Sequence, residues 1–563
     1  MNYSKHVSTK STPQTQPVGG KAMVANSAGG YGFNISPWSQ LERFLLLGCA
    51  GGSFYADARK MTLKSAEGLD ECLKEDALRA VKTIVDTSVK GLALSNEPAI
   101  FALAYVTAHG VPAAKQAAYD GVAKVCRTGT HLFHFCQAIQ DLRGWSRGLR
   151  SAVSRFYTSR GAKELAYQLI KYRQRDGWAH RDALRMAHPK VGAVEDSREI
   201  NSLLSWAVGK TKHFAIPTVK HRKTVKGHRK MVDVPVPLHE SLAMVNAFEE
   251  IQALTGKTAP EVKRALELIA AYRLPWEALP TELHKAPEVW ETLAPTMPLM
   301  ALIRNLGRMS TLGILDSKLN PLVKTIMERL VDVDLLRKSR MHPISVLKAV
   351  KTYGQGHGDK GSLIWQPVQG IQEALEAAFY ASFKAVEPTG QNWLLALDVS
   401  GSMGYNQSTG MDMSCAEVAA VMAMVTARIE ASSEIMGFSH SLRDLGISSQ
   451  DTLQVALKKV QRSDYGGTDC ALPVAWALAH PKARVDTFAI YTDGESWAGH
   501  EHVFQTLKEY RSKVNAQAKL IAVSLVANEF SIADPSDPGM LDVVGMSPDV
   551  PQALAAFSRQ KLG

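Results

Sequence analysis

Long apolar runs are missing from this 563-residue chain: none approaches the roughly 18 residues that a membrane-spanning helix requires. Leu46-Leu47-Gly48-Cys49 has the shape of a lipoprotein cleavage box. Glu42 and Arg43 stand directly before it, where a signal peptide needs about 7–15 apolar residues, so the chain is expected in the cytoplasm with no membrane partner. Cysteine is scarce as well. Cys49, Cys72, Cys126, Cys136, Cys415 and Cys470 are scattered without Cys-x-x-Cys spacing, which excludes a disulfide frame or a zinc site and predicts reduced, mostly buried thiols.

Acidic residues are short in one part of the chain. From Glu387 onward there are 13 Lys and Arg against 20 Asp and Glu, so the overall charge of +11 leaves +18 on the residues before it. A field of that sign attracts polyanions, nucleic acid first and a membrane surface second. At 45% hydrophobic and 21% charged residues the composition is that of a globular protein, and the length predicts two or three domains.

Residues 1–25 are rich in Ser, Thr, Gln and Lys with little apolar content, which predicts a flexible tail. From Trp38 the apolar residues follow a helical period for over 300 residues: Leu41, Phe44, Leu45; Ala77, Val81, Ile84; Ile100, Leu103, Val106. Ser95-Asn96-Glu97-Pro98 is a helix start, and Gly110-Val111-Pro112 a stop and restart. Helix pairs joined by short turns predict an all-α solenoid of HEAT type over 26–385.

Three stretches of this region bear on function. In Lys171-Tyr172-Arg173-Gln174-Arg175-Asp176-Gly177-Trp178-Ala179-His180-Arg181, continuing through Arg185 to His188, cations alternate with rings. That pattern offers phosphate contacts and stacking surfaces, or equally a basic helix face with its aromatics in the core. Residues 210–230 carry Lys210, Lys212, Lys220, Arg222, Lys223, Lys226, Arg229 and Lys230 without one acid; Pro217, Gly227 and alternating Val and Thr predict a loop or short hairpin projecting from the helices. Such a run repels itself unless solvated or neutralised by a polyanion. The glycine-rich 354–361 follows a helix and lacks a Lys-Ser/Thr pair, so it reads as a turn and not a nucleotide loop; His131 and His134 read as ordinary helix packing.

Beyond Glu387-Pro388-Thr389-Gly390 the period changes to strand over 393–397, helix 415–429, strand 434–438, helices 453–460 and 471–478, strand 485–491, helix 501–511 and strand 520–526. Alternation of this kind predicts a mostly parallel, doubly wound α/β domain over 386–563, with ligands at the carboxyl ends of its strands. Asp398, Ser400 and Ser402 leave the first strand two residues apart and offer three oxygens. Hard cations such as Mg2+ take oxygen ligands in near-octahedral geometry, and further oxygens are available from Thr468 in Gly466-Gly467-Thr468-Asp469 and from Asp493 in Thr492-Asp493-Gly494-Glu495. An Asp-x-Ser-x-Ser loop, then a Thr, then an Asp, each at a strand-to-helix turn, resembles the metal-ion-dependent adhesion site of von Willebrand factor A domains.

Further motifs extend the resemblance to the whole chain: Arg43-Phe44-Leu45 with Gly51-Gly52, Lys124-Val125-Cys126-Arg127 with Thr130-His131-Leu132-Phe133, Lys171-Tyr172-Arg173-Gln174-Arg175 with Gly177-Trp178, Arg304-Asn305-Leu306-Gly307, and Gly466-Gly467-Thr468-Asp469-Cys470. On these residues the chain resembles the Ro60, or TROVE-domain, family. The resemblance implies a monomeric ring of HEAT-like repeats closed by a von Willebrand A domain, with small noncoding Y RNAs on the basic outer face and single-stranded ends of misfolded RNA in the central hole. It places Lys171, Arg175 and His188 among RNA contacts, shifts Arg173, Arg181 and Arg185 of the same stretch toward that role, and implies an exoribonuclease partner, polynucleotide phosphorylase. Residues 210–230 match no motif of the family.

The expectation is therefore an RNA-binding scaffold and not an enzyme, whose affinity falls steeply with salt. A second reading makes the A domain a cation-bridged protein adaptor. A serine hydrolase at Ser400 lacks the glycine of a nucleophile elbow. A nuclease would need clustered carboxylates, for which Asp469 and Glu495 are the candidates.

Overall fold

The structure, a computed structural model, describes residues 11–48, 58–93, 95–192, 195–225, 228–316, 319–358, 362–383, 386–405, 413–460 and 466–562. Cys49, Lys226, Gly227 and residues 359–361 of the glycine-rich stretch lie outside them. The chain forms two compact units, one of residues 100–326 with 363–368, the other of residues 1–99, 327–362 and 369–563.

The unit centred on residues 100–326 is built of helices, whose starts are fixed by local chemistry. Thr128 and Ser146 each turn a hydroxyl onto the backbone N–H three residues on, at 3.2 and 3.3 Å, and Pro112 opens its helix where the missing N–H costs nothing. Alternate helices stack in two rows. Pro112–Val125 packs on Arg147–Thr158, and that helix on His180–Ala187; Ala162–Lys171 packs on both Ser197–Ala207 and Glu240–Ala253. The apolar faces meet between the rows, where Val122, Phe133, Phe135, Val153, Phe156, Leu165 and Leu169 are buried. This is the stacking of an α-solenoid.

Two hairpins interrupt the helices. Gln174–Arg175 pairs antiparallel with Trp178–Ala179 across a two-residue turn, Asp176 at φ 50° and Gly177 at φ 80°. Two positive φ values make a type I′ turn, for which Asp-Gly is the preferred pair. The second is a long ribbon, Thr218–Val225 against His228–Pro235, in unbroken register from Thr218↔Pro235 to Val225↔His228. Of the loop and the short hairpin that the sequence allowed, the structure has the hairpin, and alternation of Val and Thr with basic residues suits its strands.

In the other unit, six strands lie in the order Met540–Val544, Lys519–Ser524, Thr487–Thr492, Asn392–Asp398, Ser432–Phe438, Leu442–Asp444. All pairings are parallel except the last, so the sheet is mixed and mostly parallel. Leu394, Leu395, Ala396 and Leu397 of the central strand are all buried, as expected where helices cover both faces. Helix Cys415–Ile429 is buried on nearly every side, and its start is set by a capping box in which Ser414 and Glu417 bond each other's backbone N–H. One core gathers Leu394, Phe438, Val474, Phe488, Ile490, Leu507, Tyr510 and Leu520.

This unit also takes in the beginning of the described chain. Residues 11–25, expected as part of a flexible tail, lie against the A-domain elements: Thr12 N–H donates to Gln505, His502 contacts the Gln16 carbonyl at 2.8 Å, and Lys21 pairs with Asp534 at 2.5 Å. Tyr31–Asn34 pairs with Met23–Ala25 on one side and Phe530–Ser531 on the other. Polar segments of this composition gain little from apolar burial; here backbone and side-chain hydrogen bonds to a preformed surface supply the order instead. Helix Pro37–Leu47 follows, and Arg43 on it is completely buried, donating to both oxygens of Asp542 at 2.7 and 2.8 Å and to the Phe530 carbonyl at 3.0 Å.

The Cys72, Cys126, Cys136, Cys415 and Cys470 thiols are free and buried, as their scatter predicted. Among the described residues no helix is long and apolar enough to cross a membrane.

Candidate functional site

At the carboxyl ends of the central strands three segments converge. Asp398 ends strand Asn392–Asp398 and is fully buried; its Oδ1 accepts the Ser400 N–H at 2.9 Å and its Oδ2 the Thr492 hydroxyl at 2.7 Å. The Ser400 and Ser402 hydroxyls lie 3.2 Å apart. Asp493 follows strand Thr487–Thr492, is equally buried, and accepts the Glu495 N–H at 3.0 Å. Thr468 is drawn in by its carbonyl, which accepts the Ala498 N–H at 3.0 Å and the Ser496 hydroxyl at 3.1 Å. The five residues that the sequence nominated as metal ligands are thus all buried at one end of the sheet.

Two features of this arrangement suit a hard cation. Burial, with the Asp493 charge beside it, raises the Asp398 carboxyl well above the ordinary carboxylate range, so the ionised pair is unfavourable by itself. The Thr468 hydroxyl is buried with no hydrogen-bond partner among the described residues. An oxygen desolvated without a partner costs on the order of 1–3 kcal/mol, and an ion in that space would supply the missing contact while offsetting the carboxylate repulsion. Among the described residues no group of three or more His, Cys, Asp or Glu is placed to hold a metal ion.

Two more acids border the site and are already engaged. Burial raises Glu495 to about 8, with Asp493 adding to the shift, and its Oε2 accepts the Ala28 N–H at 3.1 Å. Burial raises Asp469 to about 7, and it accepts the Ala471 N–H at 3.0 Å. The loop before Tyr31 is seated directly on the Ser496 carbonyl, which accepts from Asn26 at 2.7 Å, and a Cβ at Gly30 would lie 2.0 Å from that same oxygen. Sequence reading missed this contact, because nothing local in Asn26-Ser27-Ala28 reports a partner almost five hundred residues away.

The basic candidates gather around the Asp-Gly hairpin. Arg175 lies on its first strand, exposed; Arg181 and Arg185 are one turn apart on helix His180–Ala187, both exposed; His188 caps that helix in the left-handed region at φ 48°, also exposed. The hairpin is pinned to helix Gly129–Leu142, His134 contacting Asp176 at 2.9 Å and the Trp178 indole donating to Gln137 at 2.9 Å. His134 is therefore a support for the turn, and His131, half-buried on the same helix, is held down to about 4 by the burial it has. Arg173 is exposed with its guanidinium 5.5 Å from the Phe248 ring centre. Lys171 is different: its side chain is 10% exposed, 3.5 Å from Glu277 and placed over the Tyr167 and Tyr172 rings.

The A-domain sheet with its cluster of hydroxyls and acids, and the helical rows with their basic hairpin, correspond to two separate family models. A TROVE-domain model matches residues 24–352, and a Ro60 von Willebrand A-domain model matches residues 392–558. The chain belongs to the Ro60 family. A curated Ro60 relative from Deinococcus radiodurans, named an RNA-binding protein, is 37% identical over 99% of each chain; one from Caenorhabditis elegans, with the same name, is 35% identical over 96% of this chain and 90% of its own. The solved Deinococcus radiodurans Ro (Rsr) structure matches 93% of this chain and 99% of its own at 37% identity, with a TM-score of 0.66. The TROVE match ends inside helix Pro343–Gln355, yet its segments 24–99 and 327–352 fall in the compact unit that holds the Ro60 A domain.

Proposed function

We propose that this chain is an RNA-binding scaffold acting in noncoding-RNA quality control, without catalysis of its own. The observation that carries the proposal is the exposed basic row Arg175, Arg181, Arg185 and His188, with Arg173 beside it, held by a rigid hairpin on a helical scaffold. The curated relatives carry RNA-binding names, in keeping with this reading. Guanidinium groups supply phosphate contacts, while Arg173 and the neighbouring rings supply stacking surfaces. Y RNA-like molecules occupy this outer basic face, and single-stranded ends of misfolded RNA enter the hole of a monomeric HEAT-like ring. Selection there is by size, and an exoribonuclease such as polynucleotide phosphorylase processes what is delivered, in the cytoplasm. Lys171 serves the same surface from inside, as a charge that orients the end of its helix.

Binding to a stem-loop RNA with an unpaired 3′ tail, followed by fluorescence anisotropy, tests the reading. Arg175→Gln, Arg181→Gln and Arg185→Gln together are expected to reduce affinity at least about tenfold and to flatten the salt dependence by about two to three phosphate equivalents. Unchanged binding would remove the basic row from the interface and the proposal with it.

The A-domain cluster supports a second reading compatible with the first: Asp398, Ser400, Ser402, Thr468 and Asp493 hold a divalent cation, Mg2+ by the hardness of its donors, that captures a partner's carboxylate. The orphaned Thr468 hydroxyl favours it. EDTA, or Asp398→Ala, should abolish the protein partnering and leave RNA affinity intact; loss of RNA affinity in the folded variant would refute this separation.

A further inference from the structure

The loop 493–496 carries Asp493 into the cluster of hydroxyls and acids, and its polar groups are taken up by residues from the beginning of the chain. The Glu495 carboxylate accepts the Ala28 N–H at 3.1 Å and receives Ser27 through both its N–H and its hydroxyl. The Ser496 carbonyl accepts the Asn26 side-chain amide at 2.7 Å, and the oxygen of that amide accepts the Ala28 and Gly30 N–H groups at 3.1 and 2.7 Å. Asn26 is 7% exposed, so these bonds are made out of water, where losing one partner leaves the other unsatisfied. A relay reaches the start of the same loop. The Asp493 carbonyl accepts the Asn528 side-chain amide at 2.5 Å, the Asn528 Oδ1 accepts the buried Arg43, and Arg43 is itself committed to Asp542. Residues 26–28 thus hold Glu495 and Ser496, while Arg43 holds Asp493 through one intermediary.

The loop is tied inward to the other nominated ligands. The Glu495 N–H donates to Asp493 Oδ1 at 3.0 Å, the Gly494 N–H to the Thr492 hydroxyl at 3.0 Å, and that hydroxyl to Asp398 Oδ2 at 2.7 Å. The Thr468 carbonyl accepts the Ser496 hydroxyl at 3.1 Å and the Trp497 N–H at 3.2 Å. A shift of Glu495 or Ser496 therefore carries the Asp493 carboxyl and Thr468 with it. An ion that demands near-octahedral oxygens tolerates little such movement, and changing the outer residues that orient metal ligands typically costs 10–100-fold in affinity. Asn26 and Arg43 occupy that outer position. Both belong to the same compact unit as the sheet.

Resting on the cation reading of the A-domain cluster above, we propose that Asn26 and, through Asn528, Arg43 are positioning residues of that site, so that binding of a divalent cation and seating of residues 26–47 strengthen each other. Linkage makes the coupling equal in both directions. The test uses the full chain and Mn2+ as the probe, with free ion followed by electron paramagnetic resonance. Asn26→Ala and Asn528→Ala should each weaken Mn2+ binding at least about tenfold. Arg428→Gln breaks an ion pair with Glu376 elsewhere in the same unit; it should lower the melting temperature and leave Mn2+ affinity unchanged, which separates positioning from general destabilisation. Hydrogen exchange on the wild-type chain reads the reverse direction: saturating Mn2+ should slow exchange at the Ala28 and Gly30 N–H groups, and Asp398→Ala should abolish the slowing. Wild-type Mn2+ affinity in both variants, or exchange at Ala28 and Gly30 indifferent to bound Mn2+, overturns the coupling and leaves the cation reading standing. An equal loss of affinity in Arg428→Gln overturns it in favour of general destabilisation. Wild-type chain that binds no Mn2+ refutes the cation reading and the coupling together.

Discussion

Thr468 is a hydroxyl that folding has removed from water and left with no hydrogen-bond partner among the described residues. Replacing it by Val keeps the shape and deletes the unsatisfied oxygen, so Thr468→Val should leave stability in EDTA unchanged or raise it by about 1 kcal/mol. If the hydroxyl is a cation ligand, the rise in melting temperature produced by Mg2+ should shrink at the same time. Calorimetry with and without Mg2+ reads both, and an undiminished Mg2+ effect would remove Thr468 from the ligand set. Asp398, Ser400, Ser402 and Asp493 were legible in the sequence for a simple reason: each leaves the carboxyl end of an apolar strand, a position readable from a few neighbouring residues. Glu495 was legible as an acid but not as the anchor of Ala28, since hydrogen bonds between distant loops leave no local pattern.

At the scale of elements, helix Pro37–Leu47 is held to the A domain by one buried guanidinium. Arg43→Met would leave Asp542 and the Asn528 and Phe530 carbonyls without their donor, and breaking a buried pair from one side costs about 3–5 kcal/mol. Urea unfolding should show that loss, and Asp542→Asn in the same background should recover part of it. Helices Cys415–Ile429 and Leu453–Val460 have the bounds their periodicity indicated. Strands Leu442–Asp444 and Phe530–Ser531 were not foreseen, being three and two residues long and fixed by pairing partners, not by their own composition. Met540–Val544 escaped notice because Asp542 interrupts its apolar run, and the interrupting residue is the one that receives Arg43. The ribbon was half legible: alternation announced strands, while eight uninterrupted pairs emerge only when both strands are matched.

For the molecule as a whole, buried histidines set its response to acid. Burial lowers His180 and His342 from 6.5 to about 4. His342 caps helix Pro343–Gln355 by accepting the Ile344 N–H at Nδ1, and His180 faces the Tyr157 hydroxyl at 3.0 Å. Each binds a proton more readily when unfolded, so its contribution is present above pH 6.5 and is lost as pH falls toward 4. The loss is on the order of 2 kcal/mol for each. Melting temperature should therefore drop across that window, and His180→Gln should make the drop shallower; a flat profile would contradict the burial of these rings.

The antiparallel pairing of Tyr31–Asn34 with Phe530–Ser531 has a consequence for the order of synthesis. Arg43 is translated 499 residues before Asp542. The strand Tyr31–Asn34 and the helix that carries Arg43 can meet their near neighbours Met23–Ala25 and Ala58–Lys90 early, but must wait for Phe530–Ser531 and Asp542 while the whole helical region is made. Closing so long a loop costs little more entropy than closing one half its length, so the delay is one of time and not of equilibrium. Until the last strands of the sheet appear, Arg43 has no carboxylate at Asp542 to receive it, and a chain that stops short of Phe530 keeps that guanidinium without this partner.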